Sequence, residues 1–524
     1  MQAVVESALC NDYTFFFLFL GCLLLFSMCV ATFAAVIPRE RFARQVKHLT
    51  DTENPLAFIS TDIAKFTHSF QRKLPRCGVV MPVKGVHNQS YANWRTQITS
   101  LYGGPLEFYF CIESEDDPAH PHILRLQREN PEFRIHLMVA GVNWHCSQKI
   151  HNQMHGFEKA MYSCDYVIVL DDDLKLHPGT IRAWVEEFES DPRVLAASGY
   201  AFEYVGPGVQ GITPYFAMLW RCIASNGFNE PNDRPANVWG GAMMFRASEL
   251  RANIYGITDA WRDGGYSEDW ITLTMARYHN RTLAVPKSAI FPNELGEIQF
   301  SRFWNFLCRQ VFVLTNTYAT KYQQFIAWGA GGVNATMHAL IFLAGCLASI
   351  LTPFLLYTTI SSKLSSAATP AAAEGPFASL GVDGACASSG AVPSALAFWV
   401  LLLLMGCVIK AMLVSFAKLC NVLSPHGYDN EPIDCAHVPI LKISLAYFLY
   451  ASLIPAATLA TLTATSIVWS GVNFHVKDGR VSKMERMDGK GDKPKGEWYS
   501  VSRERSLEVC LRQVGEMRLR QQGI

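Results

Sequence analysis

Hydrophobic residues are concentrated in four long blocks of this chain. Residues 14–36 form one continuous apolar stretch, and three more follow at 337–360, 392–416 and 440–470. Each block reaches the ~20 apolar residues that a helix needs to cross a bilayer. Residues 75–300, between the first two blocks, mix polar and apolar positions. The pattern therefore predicts a globular region held between membrane segments.

Within this mixed region, short apolar runs alternate with helical patterns. Strands are predicted at 77–83, 106–112, 133–139, 165–170, 194–198 and 238–245, and helices at 119–128, 149–162, 178–189 and 266–278. Strands that alternate with helices indicate βαβ units and a parallel sheet. We therefore predict an α/β fold for this region.

The charges beside the first apolar block predict the orientation of the chain. Glu6 and Asp12 precede the block, whereas basic residues follow it from Arg39 onward. By the positive-inside rule, the N-terminus lies in the lumen and residues 37–335 lie in the cytosol. The segment 361–390, rich in Ala, Ser and Gly, is then a lumenal loop.

The last apolar block leaves the side of the C-terminal tail open. Four simple spans would put residues 473–524 in the lumen, yet this tail carries more basic than acidic residues, which favours the cytosol. Pro455 interrupts the block. Two short segments in a hairpin would return the tail to the cytosol, and we favour this arrangement. A single span kinked at the proline is the alternative.

An acidic cluster follows one predicted strand directly. The run Val167-Ile168-Val169-Leu170 ends in Asp171-Asp172-Asp173. Ligands of open α/β sheets bind at the carboxyl ends of the strands. The DxD spacing of Asp171 and Asp173 suits a divalent cation shared with a nucleotide diphosphate. The alternative is an acidic turn in which an aspartate caps the next helix.

Two further motifs could complete a site for sugar transfer. Glu268 and Asp269 follow a glycine pair and start a helix, so a carboxylate there could act as a general base. The alternative is acidic capping of the helix N-terminus. Arg302, Arg309 and Gln310 could stabilise charge on a leaving diphosphate. The alternative there is a set of membrane-interface residues.

The order of these motifs resembles the membrane glycosyltransferases of the cellulose and hyaluronan synthase superfamily. Within it, the chain is most similar to the ceramide glucosyltransferases. The matching stretches are 81–86, 115–119, 147–152, 170–173, 267–270 and 304–310, and a weaker signal is Trp469 followed by Gly479-Arg480. Two positions depart from the pattern: Ser114 replaces an aspartate that contacts uridine, and Gln310 replaces a tryptophan after Arg309.

The resemblance implies a GT-A-type nucleotide-diphospho-sugar transferase domain with an N-terminal transmembrane helix and a C-terminal transmembrane helical region. It implies transfer of glucose, with inversion, from UDP-glucose to the primary hydroxyl of ceramide in the cytosolic leaflet of the Golgi or endoplasmic reticulum membrane. By position, Asp171 and Asp173 hold Mn²⁺ or Mg²⁺, and Asp269 is the general base. The substrate-binding residues are Lys84, Glu113, Asp116, Lys149, Asn152, Trp239, Gly240, Gly241, Glu268, Arg302, Trp304, Arg309 and Gln310.

These expectations divide the chain into six parts. They are the N-terminal end and anchor (1–36), a linker (37–74), the cytosolic catalytic domain (75–300), an interfacial segment (301–335), the C-terminal membrane region (336–472) and a basic tail (473–524). Two alternatives remain: another membrane lipid or polysaccharide glycosyltransferase of the same fold, and a non-catalytic protein that binds a nucleotide-sugar. Ser114 and Gln310 support the second. We expect no nucleic-acid partner.

Overall fold

The computed structural model describes residues 11–60, 73–225, 237–316, 318–366, 390–425, 432–486 and 499–500. The strands, in chain order, are β1 Cys77–Pro82, β2 Leu106–Ile112, β3 Arg134–Val139, β4 Tyr166–Leu170, β5 Val194–Ser198, β6 Tyr200–Val205, β7 Ala242–Arg246, β8 Thr282–Ala284, β9 Ile290–Leu295, β10 Ser466–Trp469, β11 Val472–Lys477, β12 Arg480–Arg486 and β13 Tyr499–Ser500. The helices are α1 Asp12–Thr52, α2 Ser90–Ile98, α3 Ala119–Glu129, α4 Gln148–Ser163, α5 Thr180–Ser190, α6 Thr213–Ala224, α7 Ala247–Arg251, α8 Ile257–Arg262, α9 Glu268–Tyr278, α10 Phe300–Thr315, α11 Lys321–Ser366, α12 Ala391–Leu423 and α13 Ile440–Thr461.

Seven strands form the central sheet, in the order β3-β2-β1-β4-β7-β5-β8. The first four are mutually parallel, whereas β7 is antiparallel to both of its neighbours. The predicted α/β class is confirmed. The chain builds outward from β1 to β3 and then returns to add β4 on the other side of β1. The carboxyl ends of β1 and β4 therefore flank a topological switch point, where such sheets bind ligands.

Alternate residues of each central strand are buried on opposite faces of the sheet. Val79 packs in a cluster with Trp94 and Trp184, whereas Val80 packs on the other face with Phe157. Burial of one side chain such as Phe157 stabilises the fold by about 1.5–3 kcal/mol. Both faces are covered, so the strands are apolar nearly throughout, as their sequences predicted.

Some elements differ from the sequence prediction. The strand predicted at 238–245 begins only at Ala242, because the Trp239 carbonyl accepts a hydrogen bond from Ala242 N in a turn. Strands β6, β8 and β9 and helix α6 were not predicted. Strands β6 and β9 pair with each other outside the main sheet. Buried side chains of these strands pack against apolar helices: Phe202 of β6, for example, stacks on Phe416 of α12. A local sequence pattern does not reveal such a contact.

The first helix extends well past the predicted anchor. Helix α1 continues through Pro38 to Thr52, so the first part of the predicted linker 37–74 is helical. Arg39, Ala43 and Val46 are buried along this extension. Helices α1 and α12 run side by side, and Glu40 and Lys418 form an ion pair of 3.1 Å between them. Packing against α12 thus stabilises the extended helix.

Four helices, α1, α11, α12 and α13, are long and apolar enough to cross a membrane. Helix α11 begins at Lys321, before the predicted start of the second span at 337. The favoured hairpin in the last apolar block is wrong. That block forms the single helix α13, which continues through Pro455 to Thr461, and then strand β10. Proline removes one backbone donor, and the packed neighbours of α13 maintain the helix around it.

A small antiparallel sheet follows α13, with strand order β10-β11-β12-β13. Two-residue turns, Ser470-Gly471 and Asp478-Gly479, connect its first three strands, and all four residues have positive φ angles. Such turns match the twist of paired strands and favour glycine at the second position. Residues 473–486 of the predicted basic tail are therefore sheet. Residues 487–498 and 501–524 lie outside the described residues.

Candidate active site

A cavity of about 1190 Å³ opens at the carboxyl ends of β1, β2 and β4. Helix α10 and the turn between β10 and β11 border it. It brings together most of the residues that the sequence predicted, from seven separate parts of the chain. The predicted residues that line it are Lys84, Glu113, Lys149, Asn152, Asp171, Asp173, Trp239, Gly240, Gly241, Glu268, Asp269, Arg302, Arg309 and Gln310.

Lys149, from the first turn of α4, lines this cavity between two carboxylates. Its Nζ is 2.6 Å from Asp171 Oδ1 and 2.6 Å from Glu268 Oε1. Burial lowers the pKa of Lys149, but the two carboxylates outweigh it and raise that pKa overall. Burial raises the pKa of Glu268 to about 7, against the opposing effect of Lys149. One ammonium thus balances two carboxylates, and the site remains short of positive charge.

Asp172 and Asp173, the other two carboxylates of the acidic cluster, are also short of balancing positive charge. Burial, together with the neighbouring carboxylates, raises the pKa of Asp172 to about 8 and that of Asp173 to about 6. A divalent cation would supply the missing charge. Mg²⁺ and similar ions bind through one or two carboxylates plus substrate phosphates. Asp171 and Asp173 are the carboxylates that would hold an ion in this way. The described residues contain no group of three or more His, Cys, Asp or Glu that could hold an ion.

Asp269 lies in the first turn of α9. Its Oδ1 accepts hydrogen bonds from Trp270 N, at 2.8 Å, and from the Ser267 hydroxyl. These two donors fix the carboxylate at a partly exposed position on the cavity wall. Gly240 faces the same helix, and a Cβ there would collide with the Glu268 carboxylate. Glycine at this position therefore lets the turn before β7 approach the acidic end of α9 without displacing the Glu268 carboxylate.

Arg309 reaches the cavity from α10. Its guanidinium carbon lies 5.1 Å from the ring centroid of Trp469, which stands at the end of β10. Arg309 Nε is buried without a hydrogen-bond partner among the described residues. The indole beside this arginine therefore comes from the C-terminal sheet, while position 310 is a glutamine. The only sequence signal for Trp469 was the weak Trp…Gly-Arg pattern.

Two predicted residues stand apart from the cavity. Asp116 is exposed, and its neighbour Asp117 instead accepts hydrogen bonds from Gly85 N at 2.9 Å and Ala119 N at 2.8 Å. Trp304 stacks on Phe300, with ring centroids 6.3 Å apart, on the part of α10 that packs with the membrane helices. Of the two predicted substrate-binding residues that flank Ser114, Glu113 and Asp116, only Glu113 lines the cavity.

The sequence did not reveal several charged residues at the site. Arg221 of α6 pairs with Glu203 of β6 at 3.1 Å, and both line the cavity. Arg486 of β12 pairs with Glu113 at 2.7 Å and donates to Gln148 at 2.9 Å. Arg221, Glu203 and Arg486 lie on elements that were not predicted, and Arg486 is 373 positions from Glu113, so spacing alone could not connect them.

The fold and the cavity together define an α/β domain of the GT-A-like type, joined to long apolar helices. Residues 55–204 match the family model described as Glycosyl transferase family 21. The chain is 27% identical over 108 residues to "Ceramide glucosyltransferase 1" of Caenorhabditis elegans. This match covers 21% of this chain and 22% of the relative. It is 29% identical over 89 residues to "Ceramide glucosyltransferase 3" of the same organism, which covers 17% and 19%.

The matches to these curated relatives thus span about a fifth of their length. Among solved structures, the chain is similar to "Mannosyltransferase PcManGT from Pyrobaculum calidifontis in complex with GDP-Man and Mn2+". The identity is 11% and the TM-score 0.36, over 72% of this chain and 98% of that one.

Proposed function

We propose that the chain transfers glucose from UDP-glucose to the primary hydroxyl of ceramide, with inversion, and so makes glucosylceramide. One observation carries this proposal: a single cavity holds the acidic cluster, Asp269 and Arg309, and it borders helix α10, which packs on the apolar helices. The similarity to ceramide glucosyltransferases over part of the chain supports the same substrates.

The donor would lie across the carboxyl ends of β1, β2 and β4. Glu113, at the end of β2, would contact the uridine. Lys84, which donates to Ser470 O, and Arg309, which lies over the Trp469 ring, would supply positive charge to the diphosphate. Asp171 and Asp173 would hold Mn²⁺ or Mg²⁺. When bound, such an ion neutralises the negative charge that develops on the departing UDP.

Asp269 would act as the general base. A primary hydroxyl is a poor nucleophile near neutral pH, so a positioned carboxylate must take its proton as the new bond forms. The hydroxyl oxygen bonds to the anomeric carbon while the bond from that carbon to the UDP oxygen breaks. Asp269 keeps the proton, and UDP leaves with the electron pair. A single displacement of this kind inverts the anomeric configuration.

The charges on the acceptor side favour a neutral lipid. Beyond β4, three carboxylates line the cavity, those of Glu203, Glu294 and Glu297, against the two cations Arg221 and Arg302. A lipid phosphate would be repelled there, whereas the hydroxyl and amide groups of ceramide could donate to the carboxylates. The helices next to this side would let the acceptor enter from the cytosolic leaflet of a Golgi or endoplasmic reticulum membrane.

An acceptor panel tests the proposal. Membranes that contain the chain would be incubated with labelled UDP-glucose or UDP-galactose and with either a short-chain ceramide or a polyprenyl phosphate. We expect label in a ceramide product from UDP-glucose, with the β configuration that inversion of an α-linked donor gives. Label in polyprenyl phosphate but not in ceramide would overturn the acceptor, and preference for UDP-galactose would overturn the donor.

A further inference from the structure

Helix α13 begins on the surface of the α/β domain. Just before it, His437 Nε2 lies 2.9 Å from the Val205 carbonyl oxygen. In its first turn, Lys442 Nζ donates to Gln210 O at 2.8 Å and lies over the ring of Tyr215 at 4.8 Å. The start of the last apolar helix is therefore attached to β6 and α6.

The chain returns to the same domain directly after α13. Strand β10 begins at Ser466, so the connection from Thr461 can span only ~18 Å. The sheet that follows is fixed to the domain at several points. Lys84 Nζ donates to Ser470 O at 2.8 Å, and Arg480 pairs with Asp263 at 2.8 Å. Arg486 pairs with Glu113, as described above.

A helix that crossed the membrane could not connect these two attachments. Helix α13 has 22 residues and is ~33 Å long, close to the ~30 Å of a bilayer core. Crossing would put its two ends on opposite sides. Instead, both flanking segments contact one domain, and α13 itself packs against α6 and α10 of that domain.

The other faces of α13 include one that contacts α11 and one that is exposed. Phe448 stacks on Phe342 of α11, with ring centroids 5.3 Å apart, so α13 also contacts α11. Its buried face includes Ile443. Another face is exposed and apolar: the exposed fractions are 74% for Leu441, 52% for Leu445 and 71% for Leu459.

We propose that α13 lies in the membrane leaflet next to the α/β domain without crossing it. The acyl chains of that leaflet cover its exposed leucines, continuous with the lipid-facing surfaces of α11 and α12. Three helices, α1, α11 and α12, then cross the membrane. The C-terminal sheet lies on the side of the domain, and this placement agrees with its basic residues Lys477, Arg480, Lys483 and Arg486. The proposal does not depend on the reaction that the site catalyses.

Epitope accessibility tests the side of the C-terminal sheet. Three full-length variants would each carry one epitope: after Arg486, beside Asn130 on the domain surface, or within 361–390. In cells whose plasma membrane alone is permeabilised, we expect antibody to reach the first two epitopes and not the third. Protection of the Arg486 epitope together with the 361–390 epitope would overturn the proposal, because α13 would then cross the membrane.

Photo-crosslinking tests the lipid contact itself. A photoreactive side chain would replace Leu445, which is exposed, or Ile443, which is fully buried on the same turn. In membranes with labelled phospholipid, we expect lipid adducts at position 445 well above those at position 443. Absence of adducts at 445, with the Arg486 epitope accessible, would show that the leucine face is covered by something other than lipid and would overturn that part of the proposal.

Discussion

Lys149 has the most demanding electrostatic role of any single residue at the site. It is the one cation within 2.6 Å of both Asp171 and Glu268 in the described structure. Its side chain is only 17% exposed, so water compensates little of the charge. Removing one partner of a buried pair leaves an unbalanced charge in a poorly solvated place.

We therefore predict that Lys149→Ala lowers the free energy of unfolding by about 3 kcal/mol. The loss should appear as a lower thermal unfolding midpoint of the purified protein. Lys47→Ala is the matched control, since Lys47 forms an exposed ion pair with Asp51 and its loss should cost about 0–1 kcal/mol. Equal midpoints for the two variants would contradict the central role of Lys149.

Trp469 is predicted to hold the guanidinium of Arg309 in place. Trp469→Ala removes the ring beneath a partly buried cation, an interaction of about 0.5–2 kcal/mol, so kcat/KM for the donor should fall about 2- to 30-fold. Trp469→Phe keeps an aromatic face and should recover part of this loss. Steady-state kinetics at varied donor concentration measures both. Full activity of Trp469→Ala would show that Arg309 needs no such support.

Residues of the site were predictable where they lie at the end of a predicted strand or at the start of a predicted helix. Asp171 and Asp173 follow a buried strand, and Asp269 lies at a helix start, four residues after a glycine pair. The ion pair of Arg486 with Glu113 joins residues 373 positions apart. No spacing rule relates such positions, because the fold of the whole chain brings them together.

At the scale of elements, the junction between the domain and α12 depends on a buried histidine. His177 Nδ1 lies 2.6 Å from the Ser424 hydroxyl, next to the end of α12. Burial lowers the pKa of His177 to about 3. The unfolded chain binds a proton at this residue below pH ~6.5, whereas the folded chain does not until near pH 3, so acidification favours unfolding.

We predict that the free energy of unfolding falls by about 1.4 kcal/mol from pH 7.5 to pH 5.5 because of His177. His177→Asn should lack this part of the pH dependence, whereas exposed His48→Asn should keep it. Unfolding midpoints of the three proteins at both pH values give the comparison. The same pH dependence in His177→Asn and the unchanged chain would exclude this histidine as the cause.

The bounds of an element were predicted correctly where its sequence is a compact apolar run, and less well elsewhere. The strands at 106–112 and 194–198 have the predicted bounds, since each is a compact apolar run. Helix α13 was predicted as a hairpin, because apolar composition and one proline do not distinguish the two forms. The strands of the C-terminal sheet were missed despite the Ser-Gly and Asp-Gly turns, because their surroundings are rich in charge.

At the scale of the whole molecule, the basic residues after the first block predict a domain that faces the cytosol. Asn88 and Asn280 begin sequences that match N-glycosylation acceptors, and both lie on this domain. In the cytosol neither can be glycosylated. We expect no mass change on glycosidase treatment of the protein from membranes. As a control, an acceptor sequence introduced into 361–390 should be modified. A glycan at Asn88 or Asn280 would invert the orientation.

In the proposed transfer of glucose to a membrane lipid, Asp269 is the base. The most direct test measures labelled glycolipid made from UDP-glucose and short-chain ceramide, with and without Mn²⁺, by the unchanged chain, by Asp269→Asn and by Asp259→Asn. Asp259 is an exposed carboxylate on the neighbouring helix α8 and serves as the control. We predict Mn²⁺-dependent glycolipid from the unchanged chain and from Asp259→Asn. Asp269→Asn should bind UDP but lose at least ~10²-fold in turnover. Undiminished turnover by Asp269→Asn, or no glycolipid from any of the three, would contradict the claim.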